Sequence, residues 1–147
     1  MALRVEKMTS DHLDAVFELE KKCFSTPWSR ESFIQETETN ALAHYVVGFE
    51  GEDLVAYGGF WLVVDEAHIT NIAVSPDTRR KGYGKVLVEA MLQEAKCLGA
   101  LRSTLEVRES NVAARALYGG FGFKDIGLRK NYYESPKEDA VIMWMDL

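Results

Sequence analysis

Residues 79–85 combine the two residue types that proteins use to hold a phosphate group. Glycine lets a ligand come close to the backbone, and the free amides at the start of a helix bind anions. We therefore expect a phosphate-binding loop here, and a glycine-rich turn with solvated charges is the alternative. The cations and glycines of this loop are Arg79, Arg80, Lys81, Gly82, Gly84 and Lys85.

This loop departs from two familiar nucleotide-binding patterns. Arg79 occupies the position of the first glycine of a P-loop, and Val86 stands where a P-loop needs serine or threonine for magnesium. Leu87 stands where a dinucleotide-binding fingerprint has its third glycine. Neither a P-loop nor a dinucleotide site is therefore predicted.

Two side chains further along the chain are able to move protons. Glu106 lies in an alternating segment in which Leu101, Leu105 and Val107 mark one face, so its carboxylate projects from the other. It is a candidate general base, and an exposed or arginine-paired carboxylate is the alternative. Tyr118 is a candidate proton donor, and an aromatic side chain that packs beside Leu117 is the alternative.

The histidines and cysteines give no support for a metal site. His12, His44 and His68 are scattered and have no ligand spacing with Cys23 or Cys97. The two cysteines are far apart in the chain, so we expect two reduced thiols rather than a disulfide. No metal is expected.

Length and composition predict one domain, residues 1–147. Apolar residues make up 47% of the chain, which is enough to fill a core. The net charge of −6 argues against broad binding to nucleic acid. No uncharged run approaches the roughly 20 residues of a membrane-spanning helix, and no signal-peptide core is present. We therefore expect a cytoplasmic protein without membrane contact.

The first half of the chain has the pattern of a strand, two helices and a β-meander. Thr9 or Ser10 can cap the first helix, and Ser29 can cap the second. The three β-rich runs that follow form an antiparallel meander by default. Strands are predicted at residues 3–7, 42–49, 54–64 and 67–74, and the first helix at residues 11–24.

The second half begins with a helical period. Its apolar face is predicted to consist of Val86, Leu87, Ala90, Met91 and Leu98, and Gly99 ends the helix. A strand at residues 101–107, a short helix at residues 111–118 and strands at residues 123–133 and 140–145 follow. A strand–helix–strand crossover joins parallel strands. The expected fold is therefore mixed α/β, with a mostly antiparallel sheet, parallel central strands and flanking helices.

Taken together, these motifs resemble the GNAT superfamily of acetyl-CoA-dependent N-acetyltransferases. Its phosphate loop reads Gln or Arg, two variable residues, Gly, one variable residue, and Gly or Ala, which Arg79, Gly82 and Gly84 satisfy. Within the superfamily, the chain is most similar to enzymes that acetylate the N-terminal alanine of ribosomal proteins. That similarity covers nearly the whole chain and rests on residues 27–29, 65–67, 71–74, 105–108, 110–111, 117–118, 122–123, 129–133 and 138–140.

The resemblance implies roles for particular residues. It makes Glu106 the proton acceptor and Tyr118 the proton donor. The strand backbone of residues 72–74 is implied to hold the pantetheine arm, residues 80–85 the pyrophosphate, and Asn111 a further part of the cofactor. Trp28, Tyr132 and Tyr133 fall in segments that flank the peptide slot of such enzymes. The implied cofactor-binding residues are Ile72, Ala73, Val74, Arg80, Lys81, Gly82, Tyr83, Gly84, Lys85 and Asn111.

The implied activity is direct transfer of acetyl from acetyl-CoA, without a metal, to the N-terminal alanine of a small-subunit ribosomal protein. The partner would be the N-terminus of a basic ribosomal protein, which the acidic excess of this chain would attract. Three alternatives stay open: a broader protein N-terminal acetyltransferase, a small-amine acetyltransferase and a non-catalytic acyl-CoA sensor. An acyl-enzyme route through Cys97 is an alternative mechanism.

Overall fold

The computed structural model describes residues 2–25 and 27–147. The strands are β1 (Arg4–Lys7), β2 (Ala43–Glu50), β3 (Asp53–Val63), β4 (Glu66–Val74), β5 (Arg102–Arg108), β6 (Lys124–Glu134) and β7 (Lys137–Asp146). The helices are α1 (Leu13–Cys23), α2 (Arg30–Ile34), which continues into a π-helical turn (Gln35–Thr39), α3 (Tyr83–Cys97) and α4 (Val112–Phe121). Within the described residues, the strands form one sheet in the order β1-β2-β3-β4-β5-β7-β6.

The predicted meander is confirmed, because β2, β3 and β4 pair in antiparallel order. Its last strand contains a β-bulge. Gly59 pairs with Asn71 and Phe60 pairs with Ile69, so Thr70 has no partner on β3 in this register. A bulge bends a strand and re-aims the side chains beside it. This bend lies in the middle of β4, next to the parallel pair at the centre of the sheet.

The predicted parallel crossover is also confirmed, since α3 connects β4 to the parallel strand β5. The two strands are in register over only three residue pairs, from Glu66 opposite Arg102 to His68 opposite Thr104. Beyond these pairs, no further β4–β5 pairing is found among the described residues. The carboxyl-terminal parts of the two strands therefore stand apart and leave an opening in the centre of the sheet.

Helices cover both faces of the sheet. On one face, α1 and α2 pack against β2 and β3 through a buried cluster, and on the other, α3 and α4 pack through two adjoining clusters. The first cluster includes Val16, Leu19, Phe33, Tyr45, Val47 and Tyr57. The other clusters include Phe60, Leu87, Val88, Met91, Leu105, Tyr118 and Phe123.

The buried face of α3 differs from the prediction. Val86 is 40% exposed and Leu98 is 39% exposed. The buried stripe is instead Leu87, Val88, Met91, Leu92 and Ala95, because the helix presents a face turned by about one residue toward the sheet.

Several helix and strand boundaries also differ by a few residues. A 3-10 turn at Ser10–His12, with a capping box at Thr9, comes before α1, so the α-helix begins at Leu13 rather than at residue 11. Leu101 lies outside β5 and is 63% exposed, so it does not share the buried face of Leu105. The predicted cap at Ser29 is confirmed, because its hydroxyl accepts the amide hydrogen of Ser32.

The two cysteines of the described chain are both free thiols, as predicted. Burial raises the pKa of the Cys23 thiol.

No helix among the described residues has the length and apolar character that crossing a bilayer would require.

Candidate active site

The predicted phosphate loop lies at the amino end of α3. Gly82 is the residue before the helix and has a φ of +76°, which glycine adopts without the clash that a side chain would cause. Arg80 also has a positive φ, of +70°. Nothing lies within 4 Å of the position that a Gly82 Cβ would take, so the backbone is open to a ligand. The amides of the first helical turn therefore form an accessible anion site.

The cations of this loop are not equivalent. The Lys81 ammonium donates to the Glu50 carboxylate at 2.8 Å, and the Tyr83 hydroxyl donates to the same carboxylate oxygen. These two hydrogen bonds lower the pKa of Glu50, that from Lys81 most strongly. Tyr83 is 2% exposed, so its phenol is part of the core boundary. Lys81 and Tyr83 can therefore meet a phosphate through their backbone more readily than through their side chains.

The part of β4 that borders the opening ends at Val74, shortly before this loop begins at Arg79. Ile72, Ala73 and Val74 lie on the part of β4 that has no pairing with β5, so this edge of β4 is available to a ligand. Asn71, beside the bulge, has a buried Nδ2 atom without a hydrogen-bond partner among the described residues. Buried donors are normally satisfied. The opening thus has a polar strand edge, and one buried donor without a partner lies next to the bulge of the same strand.

Glu106 lies on β5 at the edge of this opening. Leu105 and Val107 are buried on the face covered by α3 and α4, so alternation directs Glu106 to the opposite face, as predicted. Its side chain is 30% exposed and its Oε1 atom lies 3.5 Å from Nε of Arg129. The arginine-paired arrangement that the sequence left open is therefore observed, and Arg129 is itself 57% exposed.

Tyr118, on α4, approaches β5 from the other face. It is 8% exposed and packs edge-on against Phe123, in the cluster that includes Leu105 and Val107. Burial raises the pKa of Tyr118 to about 12, and the nearby phenol of Tyr133 adds to the shift. At neutral pH the phenol is therefore protonated and able to donate.

Tyr133, at the end of β6, interacts with both Glu106 and Tyr118. Burial raises the pKa of Tyr133 to about 12, and the neighbouring Tyr132 and Glu106 add to the shift while Arg108 opposes it. Tyr133 therefore interacts electrostatically with both the predicted base, Glu106, and the predicted acid, Tyr118.

Arg108 holds the turn between β6 and β7, a role that the sequence analysis missed. Its guanidinium donates to the carbonyl oxygens of Ser135 and Pro136 and lies 4.2 Å from the centre of the Tyr133 ring. Glu138 pairs with the same guanidinium at 3.3 Å and accepts the amide hydrogen of Ser110 at 2.6 Å. Hydrogen bonds from Ser110 lower the pKa of Glu138, and Arg108 contributes further. These contacts fix the β6–β7 turn on one side of the site.

Glu20 fixes the opposite side and was also missed. This carboxylate is 3% exposed, accepts the Trp28 amide hydrogen at 3.0 Å and accepts the Tyr57 hydroxyl. Burial and this hydrogen bond hold the pKa of Tyr57 far above its ordinary value. The signal was an acidic residue continuing the buried stripe of Val16 and Leu19 at helical spacing. The residue before Pro27 in this segment lies outside the described residues.

Asn111, an implied cofactor contact, has a structural role in the described chain. Its side-chain oxygen accepts the amide hydrogen of Ala114 at 3.2 Å and caps α4. This cap sets the position of the helix that carries Tyr118. The amide nitrogen of the Asn111 side chain can still donate a hydrogen bond to a ligand.

The arrangement is suited to transfer between two molecules that meet in the opening of the sheet. A carboxylate stands on one face of β5, a buried protonated phenol lies against the other, and an anion site lies at the start of α3. Among the described residues, no group of three or more His, Cys, Asp or Glu side chains is arranged to hold a metal ion.

Comparison with known proteins identifies the family. The profile of the acetyltransferase (GNAT) family matches residues 13–123. A relative from Bacillus subtilis (strain 168), provisionally named a ribosomal protein bS18-alanine N-acetyltransferase, is 41% identical over 143 residues, covering 97% of this chain and 95% of the relative. The Escherichia coli (strain K12) ribosomal protein bS18-alanine N-acetyltransferase is 34% identical over 141 residues, covering 95% of this chain and 94% of the relative.

Solved structures agree with this result. The crystal structure of the ribosomal-protein-S18-alanine N-acetyltransferase from Escherichia coli superposes with a TM-score of 0.90 and 32% identity, covering 99% of this chain and 94% of that one. The resemblance proposed from the motifs is therefore confirmed, and with it the fold class. The chain belongs to the GNAT family of acetyltransferases and is an N-acetyltransferase.

Proposed function

We propose that this enzyme transfers acetyl from acetyl-CoA to the α-amine of the N-terminal alanine of ribosomal protein bS18. The observation that carries the proposal is the position of Glu106 and Tyr118 on opposite faces of β5, one of the two strands that border the opening. The names of the relatives at 41% and 34% identity support the choice of acceptor.

The residues around the opening fit acetyl-CoA. Its pyrophosphate carries negative charge, which the amides at the start of α3 and the exposed Arg80 and Lys85 match. Its pantetheine arm carries amide groups, which can pair with the β4 backbone at residues 72–74 as an added strand would. The unpartnered Nδ2 atom of Asn71 supplies one more donor beside the bulge. Acetyl-CoA supplies the acyl group as a thioester.

Glu106 is proposed as the proton acceptor. A protein α-amine has a reference pKa of about 7.7–8.0, so one proton must leave before most molecules of the acceptor can attack at neutral pH. Glu106 accepts that proton directly or through water. The amine nitrogen then forms a bond to the thioester carbon, and a β4 backbone amide near Val74 stabilises the charge that develops on the carbonyl oxygen.

Tyr118 is proposed as the proton donor. The bond between carbon and sulfur breaks as the amide forms, and the leaving thiolate takes the phenol proton of Tyr118. The raised pKa of Tyr118, about 12, keeps that proton in place until the thiolate appears. No covalent intermediate with the enzyme is required, so Cys97, which is exposed at the end of α3, has no step in this mechanism.

The acceptor peptide is proposed to lie between the segment that Glu20 holds and the turn that Arg108 holds. Trp28 belongs to the first, and Tyr132 and Tyr133 belong to the end of β6 beside the second. The chain's net charge of −6 favours a basic ribosomal-protein tail over nucleic acid. The reaction is proposed to take place in the cytoplasm, where ribosomal proteins are made.

Mass spectrometry of bS18 tests this proposal. Purified enzyme and acetyl-CoA should add one acetyl group to bS18 that has a free N-terminal alanine, and peptide mapping should place it on the first residue. Acetylation of internal lysines instead, or none at all with active enzyme, would contradict the proposed acceptor.

A further inference from the structure

An open cleft lies on the face covered by α1 and α2, and none of its lining residues takes part in the proposed proton transfers. Its volume is about 510 Å³. Two tryptophans form part of its wall, and Trp61 is 37% exposed. The remaining lining is polar and includes one carboxylate. The lining residues are Trp28, Ser32, Gln35, Glu36, Thr39, Asn40 and Trp61.

The Glu36 carboxylate is held in place by three hydrogen bonds. Its Oε2 atom accepts from the Tyr45 hydroxyl at 2.8 Å and from Nε1 of Trp61 at 2.5 Å, and its Oε1 atom accepts from Nδ2 of Asn40 at 2.8 Å. All three donors are uncharged. Within residues 2–25 and 27–147, no cation forms an ion pair with Glu36, so its negative charge has no compensating partner.

The positions of Tyr45 and Glu36 depend on the sheet beneath them. A Cβ on Gly59 would lie 2.3 Å from the Tyr45 ring, so only glycine allows Tyr45 to lie across β3. In that position the Tyr45 hydroxyl comes within 3.4 Å of Oγ1 of Thr70, the bulged residue of β4. The Glu36 carboxylate is therefore linked, through one phenol, to the strand that borders the opening.

The register of the sheet gives the distance from the cleft to Glu106. Trp61 pairs with His68, and His68 pairs with Thr104, two residues before Glu106 on β5. Two strand spacings and two residues along a strand correspond to at least roughly 12 Å between the backbones of Trp61 and Glu106, because β4 and β5 diverge beyond Thr104. An extended peptide advances about 3.3–3.6 Å per residue. A peptide whose amine lies at Glu106 therefore reaches the cleft with a long side chain from its second or third residue.

We propose that this cleft is a specificity site for a basic side chain, arginine or lysine, at the second or third position of the acceptor peptide. The inference rests on the proposed function. A fixed carboxylate forms a charge-assisted hydrogen bond with a guanidinium or ammonium group. The aromatic rings of Trp28 and Trp61, which form part of the cleft wall, can attract the same cation through their π electrons. Glu36 is thus a positioning residue for the peptide and does not contact the reacting atoms.

Steady-state kinetics with matched peptides tests the inference. The peptides begin with alanine and differ only in carrying arginine, lysine, glutamine or glutamate at position two, with a second set varied at position three. We expect kcat/KM to be roughly tenfold higher for the basic peptides than for the glutamine peptide at one of the two positions, mainly through KM. Glu36→Gln, which keeps the shape of the side chain, should reduce that ratio to near one.

Glu38→Gln is the matched control, because Glu38 is an exposed acid in the same helical turn but lines a different cleft. It should keep the preference for basic peptides. Equal kcat/KM for basic and glutamine peptides in the unmodified enzyme, or an unchanged preference in Glu36→Gln, would overturn the inference. Acetylation of the glutamine peptide reports separately on the proposed function, since that peptide needs only the N-terminal alanine.

Discussion

At the scale of single residues, the two faces of β5 separate the two side chains that we propose transfer protons. Glu106 is on the face that is open to an acceptor, and Tyr118 is buried on the other. A carboxylate open to solvent suits the acceptance of a proton, whereas burial suits a phenol that must stay protonated. The division follows from the period of two in a strand, which sends neighbouring side chains to opposite faces.

Replacing Glu106 by glutamine should lower turnover by about 10²- to 10⁴-fold, because the variant cannot accept a proton. Activity should partly recover above pH 8, where more of the acceptor amine is already neutral. The pH–rate profile at saturating acetyl-CoA measures this. Arg129→Gln is the control, and it should keep most of the activity, because Arg129 is 57% exposed and takes no part in the proposed proton transfers, although it pairs with the carboxylate and lies over the Tyr132 ring. A flat profile for Glu106→Gln would point to positioning rather than proton transfer.

Replacing Tyr118 by phenylalanine should lower turnover without weakening acetyl-CoA binding, because only the proton donor is removed. The variant also has a pH signature in stability. The folded-state pKa is about 12 against an ordinary value of 10.0, so stability that is present below pH 10 is lost as the pH rises toward 12. For two units this loss is about 2–3 kcal/mol. Chemical denaturation measures the free energy of unfolding at pH 8 and at pH 11.5. The decrease between the two pH values should be smaller for Tyr118→Phe than for the unmodified enzyme.

The divergence of β4 and β5 creates the site at the scale of elements. These two strands pair over three residues and then separate, while α3, which connects them, brings its amino end to the same region. A sheet that stayed paired would fill the opening with its own hydrogen bonds. The bulge at Thr70 bends β4 on one side of the opening, and the cap at Asn111 sets the position of α4, which carries Tyr118, on the other.

Gly82→Ala should weaken acetyl-CoA binding and destabilise the fold. A left-handed conformation costs a residue with a side chain about 1–2 kcal/mol, and relief of that strain would move the amides of the first turn of α3. Calorimetric titration and thermal melts measure the two effects. Gly120→Ala is the control, since Gly120 lies inside α4 with nothing within 4 Å of its Cβ position. Unchanged affinity in Gly82→Ala would remove the loop from the binding site.

The sequence predicted those elements whose signals are local. The alternation in the meander, the helical period after Pro76 and the cap at Ser29 each lie within one segment, and all were confirmed. The buried face of α3 was predicted with Val86 and Leu98 on it, and this was wrong, because the sheet beneath decides which stripe is covered. Local pattern constrains the orientation of a helix only to within about one residue, or about 100°.

In the candidate site, too, local sequence patterns predict some residues and miss those whose role depends on other segments. Glu106 and Tyr118 were predicted from residue type and resemblance, and in the structure both interact electrostatically with Tyr133. Glu20 and Arg108 were missed because their partners lie in other elements of the fold: the Tyr57 hydroxyl on β3 for one, and two carbonyls of the β6–β7 turn for the other. Such contacts depend on the register of the whole sheet, which no single segment encodes.

Acetyl-CoA should stabilise the whole molecule without added metal. A ligand that binds only the folded state at one hundred times its dissociation constant adds about 2.7 kcal/mol. For a chain of this length, that free energy corresponds to a rise in melting temperature of roughly 5–10 °C. Differential scanning fluorimetry in the presence of EDTA measures it. No shift at saturating acetyl-CoA would contradict the proposed cofactor site.

The identity of the acetylated amine is the central claim for the molecule as a whole. The most direct measurement compares initial rates, with acetyl-CoA, for peptides that share every residue except the first and for one peptide whose N-terminus is blocked but which retains a lysine. We predict the highest kcat/KM for the N-terminal alanine peptide and negligible labelling of the blocked one, because the lysine amine, with a reference pKa of about 10.4, is harder to deprotonate than an α-amine. Equal labelling of the blocked peptide, or a preference for a free small polyamine, would contradict N-terminal acetylation.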